Sequence, residues 1–240
     1  MKARARVVAL ARADGSTYLH ELVSMPPLVL RPTPEALYVA AGAGGPLGGD
    51  ELELHVTVGP GARLVVRSVG ATLVLPGRRR DAPARLVTTL EVADGARLAW
   101  QPEPVVVTGR GLVESVVRGE VAASAELRWR EVVVLGRHGE GPGRATLRTH
   151  VRVDGRPVLR SETRLGAGAA EFASPAGMAA KRVHGAALAV LPAYAAEPAT
   201  AAAPDAWSAR FPLAGPAAAG VALGDTAAEV AARLDALAVA

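Results

Sequence analysis

The stretch GARLAWQPEPVVVTGR (residues 95–110) has a near copy on either side, GARLVVRSVGATLVLPGR (61–78) before it and SAELRWREVVVLGR (124–137) after it. Each runs from a turn of small residues through alternating and apolar positions to Gly-Arg, and their starts lie 34 and 29 residues apart. A unit of that size cannot bury its own apolar face and has to stack on its neighbours. The repeat therefore predicts a mainly β chain, built as a solenoid-like or layered stack of sheets.

The flanking segments carry the same period. ELELHVTV (51–58) alternates Leu52, Leu54, Val56 and Val58 with Glu51, Glu53, His55 and Thr57, the pattern of a half-buried strand. LYVAA (37–41), RLVTTLEV (85–92), RATLRTHVRV (144–153) and PVLRSETRL (157–165) read as further strands, the last two joined as a hairpin through Asp154, Gly155 and Arg156. On 144–153, Leu147, Val151 and Val153 share one face, and Arg148, His150 and Arg152 form a solvated one. Residues 174–191 fit helix or strand equally. The Ala/Pro-rich segment 192–206 reads as a surface loop. Thr226 followed by Glu229 is a capping-box pattern, and Val230, Leu234 and Leu237 make a short amphipathic helix, expected to cap an open sheet edge or, failing that, to dock a partner. One or two short helices complete the count.

The 240 residues are treated as a single domain, 1–240. Half are apolar but only 3% are aromatic, so Val, Leu and Ala have to fill the core. The chain has no cysteine, which excludes disulfides, Fe–S ligation, thiolate zinc sites and cysteine nucleophiles, and makes the cytoplasm the expected compartment. The pI near 10.1 reflects 27 basic against 23 acidic residues, a net charge of +4. Apart from Arg78, Arg79 and Arg80 the basic residues are dispersed, so no nucleic-acid partner is expected. The opening KARARVVALARADG is interrupted by Arg12 and Asp14, too early for a signal peptide or a membrane span.

No Gly-x-Ser-x-Gly occurs, and no two of the five histidines (20, 55, 138, 150, 184) have the spacing of a helical zinc pair. Asp50, Glu103, Glu131 and Glu140 are available as carboxylates that adjacent coils could pair, so a β-solenoid enzyme acting on a carbohydrate or acyl substrate is the alternative function. GAGGPLGGD (42–50) has five glycines, but no Lys-Ser/Thr follows and the next segment is a strand, which removes a phosphate loop and leaves a strand-to-strand turn. There Asp50 either satisfies amides of the turn or offers a polar contact to another surface or a hydrated ion. GRHGEGPG (136–143) gathers Arg137, His138 and Glu140 into a glycine-rich loop, either a polar turn or a place where imidazole and carboxylate face a passing cation. In QPEP (101–104) two prolines stiffen the chain about Glu103, an acid either paired with an arginine or put to use.

Four of these stretches in this order, GGPLGGD (44–50), the GAR-L turns (61–64 and 95–98), WQPEP (100–104) and LGRHGEG (135–141), resemble the UreD/UreH family of urease accessory proteins, with agreement from about residue 28 to 166. The chain departs from the family's pattern at ATLVLPG (71–77), where a basic-aromatic continuation is usual. The resemblance implies a non-enzymatic chaperone or scaffold that binds urease apoprotein. It further implies nickel delivery to the urease active site together with a UreF-like accessory subunit and a UreG-like GTPase, with Ni²⁺ held only transiently and no other cofactor, nucleic acid or membrane involved. Gly45, Gly48, Gly49, Asp50, Glu103, Arg137, His138 and Glu140 become the candidate partner-contact or ion-transit residues. Asp50, His138 and Glu140 are the candidate transient nickel ligands. A conduit has to hold its ion weakly, and scattered carboxylates suit that better than a dense cluster of soft ligands.

Overall fold

The computed structural model describes residues 1–79, 81–170 and 172–239, so that Arg80 of the short basic run lies outside the described residues. The chain opens with two antiparallel pairs, β1 (Lys2–Ala11) with β2 (Thr17–Val23), and β3 (Leu28–Pro32) with β4 (Leu37–Ala41). It then winds back and forth between two sheets. From β5 (Glu51–Val58) it crosses to β6 (Arg63–Ser68) and β7 (Thr72–Val74), and returns to β8 (Ala84–Val92). It crosses again to β9 (Arg97–Gln101) and β10 (Val105–Val107), returns to β11 (Leu112–Val121), crosses to β12 (Glu126–Leu135), and returns to β13 (Arg144–Val153). Like strands of successive turns pair in parallel: β5, β8, β11 and β13 on one side, and β6, β9 and β12 on the other. The connection that a parallel pair needs, usually a helix, is here a strand of the facing sheet.

The remaining elements complete the sheets. β14 (Arg156–Gly166) folds back on β13, and β15 (Val183–Val190), β16 (Ala202–Asp205), β17 (Ser208–Pro212) and β18 (Ala217–Gly224) continue from β12 in antiparallel order. The result is a seven-stranded sheet, β14-β13-β11-β8-β5-β1-β2, and an eleven-stranded one that runs from β16 to β3 through β12 and includes β7 and β10. Two short helices, α1 (Ala193–Ala196) and α2 (Ala227–Ala236), complete the described structure.

The sequence repeat is the rung of this stack. Leu64, Leu98 and Leu127 are register partners across β6, β9 and β12, and Val66, Trp100 and Trp129 form the next row. Val74, Val107 and Leu135 close the rungs in a third row. All but Trp100 and Leu64 are almost wholly buried, and those two are 9% and 8% exposed. Interior Val and Leu at this burial contribute about 1.5–3 kcal/mol each over exposure, so with so few aromatic residues the stack is held by many moderate terms. The rungs differ in one respect. β12 is unbroken, whereas Pro102–Pro104 separates β9 from β10, and residues 69–71 separate β6 from β7.

Several details depart from expectation. Arg156 already pairs with Val153, so the β13–β14 turn has two residues, Asp154 (φ 46°) and Gly155 (φ 72°), the left-handed pair that matches hairpin twist. The polar face of β13 is ion-paired more than solvated: Arg148 bonds Glu114 and Glu162, and Arg152 pairs with Glu120. Segment 192–206 is mostly exposed, as a surface loop would be, but contains α1 and the edge strand β16. Residues 183–190 are strand, buried on both faces because α2 lies on the outer one. The C-terminal helix thus caps the face of the sheet and not its edge. Gly185 makes room for it: a Cβ there would stand 2.4 Å from Val230 and 2.9 Å from Leu234. Thr226 Oγ1 accepts the Glu229 N–H at 3.2 Å, while the Glu229 carboxylate reaches back to the N–H of Asp225, one residue earlier than a capping box requires.

Candidate functional site

Every rung turns two corners. At one, small residues make tight turns of one kind, in which the N–H of Ala62, Ala96 and Ala125 donates to the carbonyl three residues earlier. The other corners lie at 42–50, 75–83, 108–111 and 136–143; all but the second, which has Gly77 alone, are rich in glycine. Gly48 donates to Leu75 O at 3.0 Å, and Leu75 donates to Pro46 O at 2.9 Å. A Cβ on Gly77 would lie 2.0 Å from Gly48 O, and one on Gly48 would lie 2.6 Å from Ala82 O. The missing side chains of GGPLGGD therefore let one corner's backbone rest directly on the next. Gly45 and Gly49, at φ +124° and +92°, supply the bend. Asp50, 5% exposed, is held within this corner: Oδ2 accepts the Leu47 N–H at 2.8 Å and Oδ1 accepts from the Met1 amino group at 2.5 Å.

Glu140 has the same kind of setting three rungs away. One oxygen accepts the N–H of Gly109 (3.1 Å) and of Arg137 (3.0 Å), and the other accepts both Nε and Nη2 of the Arg137 guanidinium. That guanidinium, followed by the two amides, holds the carboxyl down to about 2. Arg182, the residue before β15, clamps the same corner by donating to Leu135 O and Glu140 O. His138 is exposed and has no hydrogen-bond partner among the described residues. Three strand spacings, roughly 14 Å, separate the Asp50 and Glu140 corners, so these two carboxylates do not meet at one ion. Arg137 and Glu140 are the only pair of candidates joined by an ion pair or side-chain hydrogen bond among the described residues, and no group of three His, Asp or Glu there is arranged to hold a metal.

A different site lies where the eleven-stranded sheet is interrupted. β12 pairs with β9 as far as Trp129 and with β10 from Val133, so the stretch around Glu131 faces the Pro102–Pro104 break. Behind it is a cavity of about 140 Å³, with Ser68, Thr72, Pro102 and Glu103 at the break and Ser115 and Glu131 within. Glu103 is exposed, its N–H donates to Ser68 Oγ at 2.8 Å, and its carboxylate has no arginine partner among the described residues. Glu131 is 9% exposed, and the one hydrogen bond to its carboxylate among the described residues is from Ser115 Oγ at 2.5 Å. Burial pushes its carboxyl up, with only that hydroxyl working the other way. On the neighbouring strand, His184 is the register partner of Val133 and thus shares Glu131's face two residues along. His184 lines a second cavity, about 490 Å³, with Thr163, Leu165 and Met178; its Nδ1 has no partner among the described residues, and burial lowers the pKa of the imidazole to about 4.

Glu131 was visible from the sequence only as one of four available carboxylates. The signal that marks it out is the alternation of β12 itself: Leu127, Trp129, Val133 and Leu135 are all buried, and Glu131 is in phase with them. Ser115 and His184 carry no comparable local signal, because both acquire their surroundings from strands distant in sequence.

The family profile described as UreD urease accessory protein matches residues 1–238. The protein named urease accessory protein UreD in Streptomyces coelicolor is 42% identical over 224 residues, 91% of this chain and 88% of that one. Its namesake in a Parafrankia species is 37% identical over 265 aligned positions, covering 99% and 88%. That of Frankia alni is 41% identical, covering 84% and 72%. With agreement over nearly its whole length, the chain belongs to the UreD family of urease accessory proteins.

Proposed function

We propose that this protein acts in the cytoplasm as a non-enzymatic scaffold that binds urease apoprotein and, with a UreF-like subunit and a UreG-like GTPase, passes nickel toward the urease active site. The observation that carries the nickel part is the cavity behind the sheet break, with Glu103 at its rim and Glu131 inside. At about 140 Å³ it is smaller than the roughly 300–1,000 Å³ of ordinary small-molecule sites, yet has space for an ion with part of its water shell at about 30 Å³ per water. At this cavity the size favours an ion over a sugar or acyl group.

Burial also suits Glu131 to letting go. Its carboxyl is biased toward the protonated form, an arriving cation favours the ionised form, and the proton's return releases the cation. His184, neutral and on the same face, is the next polar group along the proposed path. Asp50 and Glu140, each of whose oxygens already accepts from a donor, shape the corners in this reading and do not carry the ion.

The test is co-expression of the tagged chain with urease structural subunits and the two accessory partners, reading both retention of urease and nickel-dependent activation. The Glu103→Gln, Glu131→Gln double variant is expected to retain urease and to activate it several-fold less. Full activation by that variant would remove the interior path, and loss of urease retention by the wild-type chain would remove the scaffold itself.

A further inference from the structure

Where the first two repeats end in Gly-Arg, and where the third corner hands over to β13, an arginine is placed beside the same recess. Arg78, Arg110 and Arg144, from three successive corners, line a cavity of about 450 Å³ together with Gly77, Gly109 and Gly111. None of the three guanidinium groups has an ion-pair or hydrogen-bond partner among the described residues. This contrasts with Arg137, Arg148, Arg152, Arg164 and Arg233, all ion-paired. Asp81 is also on the lining and is likewise unpaired, so the recess keeps a surplus of positive charge.

We infer that this recess is a binding site for a linear polyphosphate group of at least two linked phosphates. Two observations select that class. Guanidinium forks match phosphate oxygens two at a time, and three of them stepped along the stack span two strand spacings, roughly 10 Å, which suits a chain of phosphates better than a single tetrahedral ion. The apolar lining is Pro76, Leu112 and Ala167, with no aromatic ring among the described residues on which a base would stack, so recognition rests on the phosphates. The inference does not depend on the nickel reading, whose residues lie elsewhere.

Isothermal titration of the purified full chain at fixed ionic strength tests it with tripolyphosphate, inorganic phosphate, a nucleoside triphosphate and a single-stranded oligonucleotide as probes. Tripolyphosphate is expected to bind saturably at one site and more tightly than inorganic phosphate. A nucleoside triphosphate that binds no better than tripolyphosphate identifies the phosphate chain as the whole determinant, whereas a large gain from the nucleoside would overturn the polyphosphate-only class. Arg110→Gln, which breaks no contact in the fold, is expected to weaken binding about tenfold or more, the worth of a charge-assisted hydrogen bond. Asp81→Asn is expected to tighten it. Arg31→Gln, a change at another unpaired arginine on β3, is expected to leave it as it is. The proposal is overturned by an absence of saturable tripolyphosphate binding, by equal effects of Arg110→Gln and Arg31→Gln, or by oligonucleotide binding without tripolyphosphate binding.

Discussion

The glycine-rich corners and the interrupted middle of the eleven-stranded sheet both place acids among apolar strands, and they treat them in opposite ways. At the corners, Asp50 and Glu140 are surrounded by donors, and the Glu140 carboxyl falls to about 2. In the middle, Glu131 has one serine hydroxyl, His184 has an orphaned Nδ1, and burial moves each toward its neutral form. A satisfied acid holds a turn together, and an unsatisfied one keeps a free valence for something else. Residue type does not distinguish the two cases; the number of donors around each group does.

The strongest way to break this comparison is to crowd a corner. If the corners are structural because backbone rests on backbone, Gly77→Ala has to be costly, since its Cβ would lie 2.0 Å from the carbonyl oxygen of Gly48 and neither backbone has room to move alone. A loss of about 3 kcal/mol or more is expected, at the upper end of overpacking effects. Gly139→Ala is the control. Gly139 has φ +77° with nothing within 4 Å of the added carbon, so only backbone strain of about 1 kcal/mol is expected there. Chemical denaturation of both variants measures the difference, and equal losses would mean that the corners are not close-packed.

The interior can be probed through pH. His184 titrates near 6.5 when unfolded and near 4 when folded, so between those values the unfolded chain binds a proton that the folded chain does not. Stability therefore falls as pH falls from about 6.5 to 4, by about 3 kcal/mol in all, and the loss is complete below 4. The acids with lowered values, Glu140 and Asp205, also lose stability on acidification, but only as the pH drops below their unfolded values of 4.5 and 3.8 toward about 2. The window from 6.5 to 4.5 is therefore largely free of those two groups. Glu131 acts in the opposite sense above 4.5, since its raised carboxyl stabilises the folded state as pH falls, so the readout is the difference between chains: His184→Leu is expected to lose less stability than the wild type on acidification across that window, and an unchanged slope would mean that His184 is hydrated or partnered in solution.

How much of this was legible follows the same division. The rungs were readable because each repeats one alternation: β5 and β13 fall on the residues that the alternation predicts, and the three GAR-type segments stack as register partners. β15 was ambiguous for a physical reason. With the solenoid interior on one side and α2 on the other, both of its faces are apolar, and period two disappears from VHGAALAV. The candidate residues were chosen for local company, which served for Arg137 with Glu140 but could not show that Glu140 also takes the amide of Gly109, or that Asp50 meets the Met1 amino group 49 residues away. Glu131 has no local company at all. Its significance comes from Ser115 on the facing sheet and from a break made by the prolines of the preceding rung.

The smallest expected effect sharpens the comparison most closely, because it concerns a residue that the sequence put forward for ion transit. In Glu140→Gln one oxygen remains to accept the amides of Gly109 and Arg137, but the new amide then turns its N–H₂ toward the Arg137 guanidinium, a donor facing a donor. The corner keeps its backbone stacking, Arg182 still clamps it, and the lost ion pair is an exposed one screened by salt, so the stability change is expected to be smaller than that of Gly139→Ala. The sign with pH is fixed: wild-type stability from this group is complete above about 4.5 and lost as pH falls toward 2, and the variant lacks that component. If Glu140 serves only the turn, nickel-dependent urease activation is unchanged in the variant. A folded variant that no longer supports activation would show that a carboxylate saturated with donors can still be used by a partner or an ion, and the division between satisfied corners and an unsatisfied interior would fail at the residue that best exemplifies it.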